Sequence, residues 1–331
     1  MATECFLTIG YMNIRGQSGL SIVKQIQIEA FAKFNNCDIL HLQEAHLDSE
    51  SFSTCDFIQS SYNIIENNST NKYGTASLVK SELTIENIRT DLEGRVILLD
   101  IGDMTFGNFY LHSGTDARSR TNRENYCCEV LPNMLVNSKD SGCMGGDFNC
   151  IVNKMDATQY PEAKMSKGLQ RLIKLKNWQD SFRSLLPSEH VFSRYYENTR
   201  AEGASRIDRS YHYGNLRVTK AWYLPLAFSD HFGLITRMSL TNTLARVISP
   251  KCRYQFRLSA EVIRDSLFKE RLKLAMVSRQ RVREFQGASS LGILQWWKML
   301  VKPGIKHLGI QRSKELRKEK REELNLLLLR Q

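Results

Sequence analysis

The stretch "CMGGDFNCIV", Cys143 to Val152, carries two strongly polar side chains, Asp147 and Asn149, inside an apolar run. Side chains alternate faces along a β-strand, so these two would point one way and Phe148 the other. Gly145 and Gly146 just before them remove bulk, leaving room for a backbone or a ligand to approach. A strand end whose Asp and Asn merely cap a turn would explain the pair as well. The balance changes because similar residues recur at the ends of other apolar runs. Asn13 follows "LTIGYM", Gln43 and Glu44 follow "CDILHL", Asp208 lies in "SRIDRSY", and Ser229, Asp230 and His231 precede "HFGLITRMSL". Singly, each has a bland reading as a turn, a surface carboxylate, an arginine partner or a loop cap. Five such sites at equivalent strand ends are the pattern of an active site, because active sites gather where strands end and loops begin.

The elements that would position them follow from the hydrophobic pattern. "CFLTIGYM" and "CDILHLQE" read as strands flanking a helix, "GLSIVKQIQIEAFAKF", the opening of an α/β protein. "YGTASLVK", "RVILLDIG" and "MTFGNFYLHSG" read as strands, "NRENYCCEVLPNMLVN" as a helix, "SGCMGGDFNCIV" as a strand and "KMSKGLQRLIKLKNW" as a helix. "HVFSRYY", "SRIDRSYHY", "VTKAWYLP" and "HFGLITRMSL" are the remaining strands. Helices occupy only some connections. The pattern predicts two sheets packed face to face with helices outside, since a doubly wound parallel sheet needs a helix at nearly every crossover.

The 331 residues suffice for one large domain plus an appendage. The net charge of +11 is unevenly spread. Residues 241–331 hold 21 Lys and Arg against 8 Asp and Glu, whereas residues 1–240 hold 25 against 27. The pattern predicts a domain over 1–240 and a basic helical extension over 241–331, with Pro303 and Gly304 breaking its helices and apolar residues too sparse for a large core of its own. Such a tail suits a polyanionic partner, RNA among them, although "RSKELRKEKREE" also reads as a solvated helix face. Trp296 and Trp297 read as packing residues. The apolar end "NLLLLRQ" reads as cut within a helix. No run approaches the roughly 20 apolar residues of a membrane span, and the N-terminus lacks the features of a signal peptide. The 8 Cys form no CxxC or zinc-type Cys/His pair, the usage of a reduced intracellular protein without structural disulfides or structural zinc.

"YMNIRG", "LQE", "NFYLHSG", "GGDFN", "SRIDR" and "FSDH" occur in the order of the endonuclease/exonuclease/phosphatase superfamily, which the chain resembles over about residues 5–240. "YLHSGTDARSRTNRENY" and "GASRIDRSYHYGNL" look most like its branch in non-LTR (LINE-type) retrotransposon polyproteins, and the tail resembles the segment that precedes the reverse transcriptase there. The resemblance implies a four-layer α/β sandwich and a Mg²⁺-dependent DNA endonuclease, with Mn²⁺ as an alternative cation. It would nick DNA to leave a 3′-hydroxyl for target-primed reverse transcription, acting in the nucleus after synthesis in the cytoplasm. By motif, Glu44 resembles the metal-holding carboxylate and Asn13 the amide beside it. Asp147 resembles the residue that positions or deprotonates the attacking water, and Asn149 the amide that bonds a phosphate oxygen. Asp208 would fix the tautomer of His231, which would face the phosphate; Asp230 would support the metal side, Ser229 would orient its neighbours, and Tyr110 matches a tyrosine that reaches the phosphate.

Where the family often has a small residue, Pro and a polar residue after Tyr110, this chain has Leu111, His112 and Ser113. His112 reads as a packed strand histidine or a phosphate contact. Ser193 stands where the family often has Thr. Between two predicted strands, "RYYENTRAEGAS" has the make-up of a protruding hairpin. Arg194, Arg200 and Arg206, with Tyr195 and Tyr196, could enter a DNA groove or grip phosphates, or be incidental to an exposed loop. Arg118, Arg120 and Arg123 form a second candidate contact. Two further readings remain: another superfamily hydrolase, such as an apurinic/apyrimidinic repair endonuclease, and a catalytically decayed nucleic-acid-binding copy. A phosphoinositide phosphatase is disfavoured, because those members usually show "P-x-W-C-D-R" where this chain has "SRIDR".

Overall fold

The structure is a computed structural model. It describes residues 5–16, 20–47, 51–53, 55–68, 74–198, 201–240, 262 and 264–274, with residues 305, 308, 311, 312, 315, 316 and 319. The chain divides into two compact units, Met1–Pro250 and Lys251–Gln331.

In the first unit the described strands are β1 (Cys5–Asn13), β2 (Ile39–Gln43), β3 (Tyr62–Asn68), β4 (Gly74–Lys80), β5 (Asn87–Thr90), β6 (Val96–Ile101), β7 (Met104–Tyr110) and β8 (Ser141–Asp147). They continue with β9 (Gln179–Asp180), β10 (Arg194–Asn198), β11 (Ala201–Ser205), β12 (Asp208–Tyr213), β13 (Arg217–Pro225) and β14 (Phe232–Leu240). One six-stranded sheet runs β13-β14-β1-β2-β4-β3, and the other β5-β6-β7-β8-β12-β9. Strands β10 and β11 form a separate two-stranded ribbon. Among the described strands only β1/β2 and β7/β8 pair in parallel. A parallel pair needs a long crossover, and these two crossovers carry helices. The first holds α1 (Ile22–Asn35), α2 (Asp56–Ser61) lies between β2 and β3, and the second crossover holds α3 (Ala117–Asn125), a π turn (Tyr126–Val130) and α4 (Leu131–Met134).

Local chemistry fixes the helix ends. The Ser21 hydroxyl accepts from the Lys24 N–H at the start of α1, and Asn36 closes it in the left-handed conformation. The short α5 (Pro161–Lys164) precedes α6 (Lys167–Leu175), which Ser166 caps by accepting from Leu169. The expected helix over "NRENYCCEVLPNMLVN" is interrupted by the π turn just ahead of Pro132, a residue with no N–H for the helical ladder. Likewise "HVFSRYY" enters strand conformation only at Arg194.

Three buried clusters give the predicted four layers. Leu7, Ile9 and Tyr11 of β1 face Ile97, Leu99, Phe106 and Cys143 between the sheets. Met12, Leu40, Leu42 and Leu78 meet Ile28 and Phe31 of α1 on one outer face. Met144, Phe109 and Phe148 meet Leu131, Leu169 and Leu172 on the other. Strand alternation sets this up: in β8, Cys143 points inward and Met144 outward.

A polar layer ties the sheets together next to the apolar one. Asn108 of β7 crosses to the facing sheet, donating to the carbonyls of Leu42 (3.0 Å) and Ala76 (2.9 Å) and accepting from Gln43 (2.7 Å). Ser210 and Thr236 share a 2.7 Å bond, and His41 Nδ1 lies 2.8 Å from Ser77 Oγ.

In the second unit, described residues 266–274 are helical. Arg312 bonds Asp265 (2.9 Å), Glu315 (3.1 Å) and Glu319 (2.7 Å). Part of "RSKELRKEKREE" is therefore engaged in an ion-pair network, and Arg312 is buried. Trp296 and Trp297 lie outside the described residues, as does the 240/241 boundary region from residue 241 onward. No helix among the described residues is long and apolar enough to cross a membrane.

Candidate active site

The inward-facing positions that form the apolar layer turn polar at one edge of the sandwich. Asn13 ends β1, Gln43 ends β2, Tyr110 ends β7 and Asp147 ends β8, while Asp208 begins β12 and His231 precedes β14. Parallel pairing aligns the ends of β1 with β2 and of β7 with β8. Antiparallel pairing places Asp208 opposite Asp147, so the start of β12 lies at the same edge. Residues more than two hundred positions apart thus meet because strand direction dictates it.

They meet through hydrogen bonds. The Asn13 amide donates to Glu44 Oε1 (2.9 Å) and to Asp147 Oδ2 (3.0 Å), and its oxygen accepts from the Arg15 N–H (3.0 Å). The Tyr110 hydroxyl donates to the same Glu44 oxygen (3.2 Å). His231 Nδ1 lies 2.9 and 3.1 Å from the two Asp208 oxygens. Ser229 donates to the Asn13 carbonyl (2.8 Å) and accepts from the His231 N–H (3.1 Å), clamping the "FSDH" loop onto the end of β1. Asn13, Asp147, Asp208 and His231 are buried, and Glu44 is half-buried at the mouth.

The electrostatics are unbalanced. Burial, then the Asp208 charge, pushes the Asp147 carboxyl up to about 7, against the lowering effect of His231. Burial lowers the pKa of His231, but Asp208 and Asp147 outweigh it and raise it to about 9. At neutral pH the imidazole is protonated, Nδ1 donates to Asp208, and Nε2 has no hydrogen bond among the described residues. The ligand atoms of Asp147, Asp208 and His231 lie within 4.8 Å of one another, close enough for a cation. A protonated imidazole has no lone pair to offer one and repels it. Glu44, presenting oxygen at the mouth beside the Asn13 amide, is the better fit for a hard divalent ion.

No protein-family model matches the sequence, and no curated protein matches it. Solved structures do. An AP endonuclease from Archaeoglobus fulgidus superposes with a TM-score of 0.57 at 20% identity, covering 70% of this chain and 98% of that one. An AP endonuclease from Leishmania major gives 0.57 at 17%, covering 71% and 88%. A 3′ phosphatase from Neisseria, solved with a product DNA hairpin, gives 0.56 at 18%, covering 70% and 98%. The chain shares the α/β-sandwich fold of these structures.

Within that fold, the expected site residues converge, but several do so differently from the strand-based expectation. Asp147 and Asn149 are not matched by alternation. Strand β8 ends at Asp147, and Asn149 turns left-handed (φ 49°), so that its N–H and amide both donate to the Asp147 carboxylate (2.9 and 3.1 Å). The amide also donates to the Leu111 carbonyl (2.9 Å). Both amide hydrogens are therefore engaged within the protein, and Asn149 braces Asp147. Gly146 is required here: its φ is +134°, and a Cβ would lie 2.1 Å from the Phe109 carbonyl oxygen. Asp230, expected on the metal side, is held by two guanidiniums, Arg194 Nε at 3.0 Å and Arg15 Nε at 3.4 Å. Burial raises its pKa, but Arg194, His231 and Arg15 outweigh it and hold it below the usual carboxylate range.

The DNA-contact candidates divide. Arg194 and Tyr195 sit at the foot of the β10–β11 ribbon with exposed surface, Tyr195 against Phe192 and Phe232. Tyr196 lies across Gly203, with its hydroxyl 2.6 Å from Lys164 Nζ. Arg200 lies outside the described residues. Arg206 is a correction: it is 1% exposed and bonds Asp156 and Asp180, so it anchors the ribbon from inside and reaches no surface. Arg118 and Arg120 are exposed on α3, whereas Arg123 is buried against the His112 and Gly114 carbonyls. His112 packs edge-on against Tyr126, with Nε2 3.2 Å from Glu93. Ser193 accepts from the N–H groups of Ile207 (3.0 Å) and Asp208 (2.9 Å), joining the ribbon to the Asp208–His231 pair. Sequence reasoning missed Asn108 and Arg15. An Asn inside "TFGNFY" signals the first; nothing but its place after "MNI" signals the second.

Proposed function

We propose that this chain is a divalent-metal-dependent phosphodiesterase that cleaves DNA. We propose further that it nicks its target to leave a 3′-hydroxyl, as the endonuclease of a non-LTR retrotransposon does. The observation that carries the reading is the unbroken hydrogen-bond chain Tyr110–Glu44–Asn13–Asp147 beside the Asp208–His231 pair, all at one mouth.

Each group has a role its surroundings suit. Asp147, fixed by Asn13 and Asn149, orients a water and takes its proton; a carboxyl titrating near 7 is matched to that task. His231, protonated and fixed through Nδ1, donates from Nε2 to a phosphate oxygen and offsets its growing charge. Asp208 keeps that imidazolium oriented, and Ser229 holds its loop. Glu44 and Asn13 would hold Mg²⁺, or Mn²⁺ in its place. That ion would supply charge neutralisation at the phosphate and a more acidic water. Tyr110 faces the same space from β7. Arg194 and Tyr195 of the ribbon and Arg118 of α3 would contact the DNA backbone beyond the mouth, and the basic Lys251–Gln331 unit would suit RNA.

The test is nicking of supercoiled plasmid with Mg²⁺ and with EDTA, followed by polymerase extension of the nicked product. Metal-dependent nicks that extend directly support the reading; extension only after phosphatase treatment contradicts the 3′-hydroxyl. The two AP endonuclease structures give a second reading a specific footing, preference for abasic DNA. A duplex with one abasic site decides between them: cleavage confined to that site favours repair, and equal cleavage of intact duplex favours nicking.

A further inference from the structure

We infer that Arg15 and Arg194, joined through Asp230, form a seat for a second backbone phosphate of duplex DNA, beside the phosphate that is cut. This rests on the phosphodiesterase reading and says where the neighbouring backbone lies.

One carboxylate receives two guanidiniums, from opposite sides of the mouth. Arg194 Nε bonds Asp230 Oδ2 at 3.0 Å, and Arg15 Nε lies 3.4 Å from Oδ1. Each arginine meets the carboxylate through Nε, and no hydrogen bond from either Nη end is present among the described residues. The side chains stay 50% exposed for Arg15 and 38% for Arg194, against 24% for Asp230. Half-exposed ion pairs of this kind contribute little to stability. They do set two guanidiniums beside one carboxylate, Arg194 by a hydrogen bond and Arg15 at ion-pair distance, and two cations against one anion leave an excess positive charge facing solvent.

The backbone fixes where that charge sits. The Arg15 N–H donates to Asn13 Oδ1, its carbonyl accepts from Lys24 Nζ at 2.9 Å, and the residue is left-handed (φ 46°). Arg15 therefore flanks the Glu44–Asn13 side. Arg194 pairs through its backbone with His231 and opens the ribbon, so it flanks the other side. Arg forks match phosphate oxygens bidentately. A phosphate next along the strand from one at His231 would be met by both, with Asp230 exchanging one guanidinium contact for it. A mononucleotide ester has no second phosphate to offer, so the seat selects polynucleotide over small esters.

The test is fluorescence anisotropy of full-length protein with a labelled duplex in EDTA across a salt series. Metal-free binding keeps the result readable whether or not the chain cleaves. Arg15→Ala and Arg194→Ala should each reduce the slope of log K against log salt by about 1, and the double variant by about 2. Arg15→Lys should restore the slope without the full affinity, because an ammonium lacks the fork. Arg217→Ala, at the far end of β13, should keep the wild-type slope. In cleavage, the loss from Arg15→Ala should be at least about tenfold greater on duplex than on bis(p-nitrophenyl) phosphate. A wild-type slope in Arg15→Ala with unchanged melting temperature, an equal loss in Arg217→Ala, or no duplex binding by wild type would overturn the seat. Nicking that persists beside an unaltered slope would remove the seat alone and leave the phosphodiesterase reading standing.

Discussion

Two charged clusters share the motif "SRIDR", and they behave in opposite ways. Arg206 belongs to one and Asp208 to the other. Around Arg206 the signs match: Asp156 accepts from Arg206 (2.9 Å) and Arg183 (2.9 Å), and Asp180 accepts from Arg206 (2.6 Å). Burial raises the pKa of Asp156, but Arg206 and Arg209 outweigh it, and Asp156 stays charged. Around Asp208 two carboxylates share one imidazole, and burial, then the Asp208 charge, leaves Asp147 titrating near 7. Matched buried charge is structural, whereas unmatched buried charge holds a proton near neutrality, where catalysis can move it.

The comparison can be broken by exchanging which cluster is damaged. Asp147→Ala should lower the nicking rate by about 10²–10⁴-fold with little change in melting temperature, measured on plasmid and by calorimetry, and His231→Ala should lower the rate as far while also costing stability, because it leaves the buried Asp208 unpaired. Arg206→Ala should do the reverse. It takes from the buried Asp156 one of its guanidinium partners and from the half-buried Asp180 its ion pair, and should destabilise by about 3–5 kcal/mol in urea titration, with the folded fraction still cutting DNA. Equal activity loss in both would dissolve the distinction.

A smaller effect sharpens it through pH. Asp147 must be ionised to take a proton, so the rate should climb as pH passes about 7. His231 must be protonated to donate, so the rate should fall as pH passes about 9. The two groups titrate as a pair, giving a bell with limbs of about tenfold per pH unit and a maximum between those values. His231→Asn should remove the alkaline limb. The smallest effect concerns the layer below. Asn108→Leu should leave the Gln43 amide and the Leu42 and Ala76 carbonyls short of partners, costing about 1–3 kcal/mol and lowering the melting temperature.

The four layers were legible because the strands are strongly patterned: "CFLTIGYM" and "RVILLDIG" could hardly be anything else. Strands β3 and β5 were not, because "YNIIENN" and "NIRT" are largely polar and pair at sheet edges. The site was legible as residue types at strand ends, since strand direction then forces Asn13, Glu44, Asp147, Asp208 and His231 together. Side-chain direction was not. A left-handed turn at Asn149, and not strand alternation, brings its amide to the Asp147 carboxylate, and Arg206 reads as a surface cation until Asp156 and Asp180 are seen around it. Arginine carries the same charge in a groove or in a core, and only its neighbours decide which.

The central claim is that the unmatched cluster is the catalytic one. Asp147→Asn tests it most directly, because the amide keeps the shape and removes only the charge and the basicity. Single-turnover nicking with Mg²⁺ should fall by about 10²-fold or more while duplex affinity and melting temperature hold or rise. A variant that nicks as fast as wild type would show that the proton held by this cluster plays no part in the chemistry.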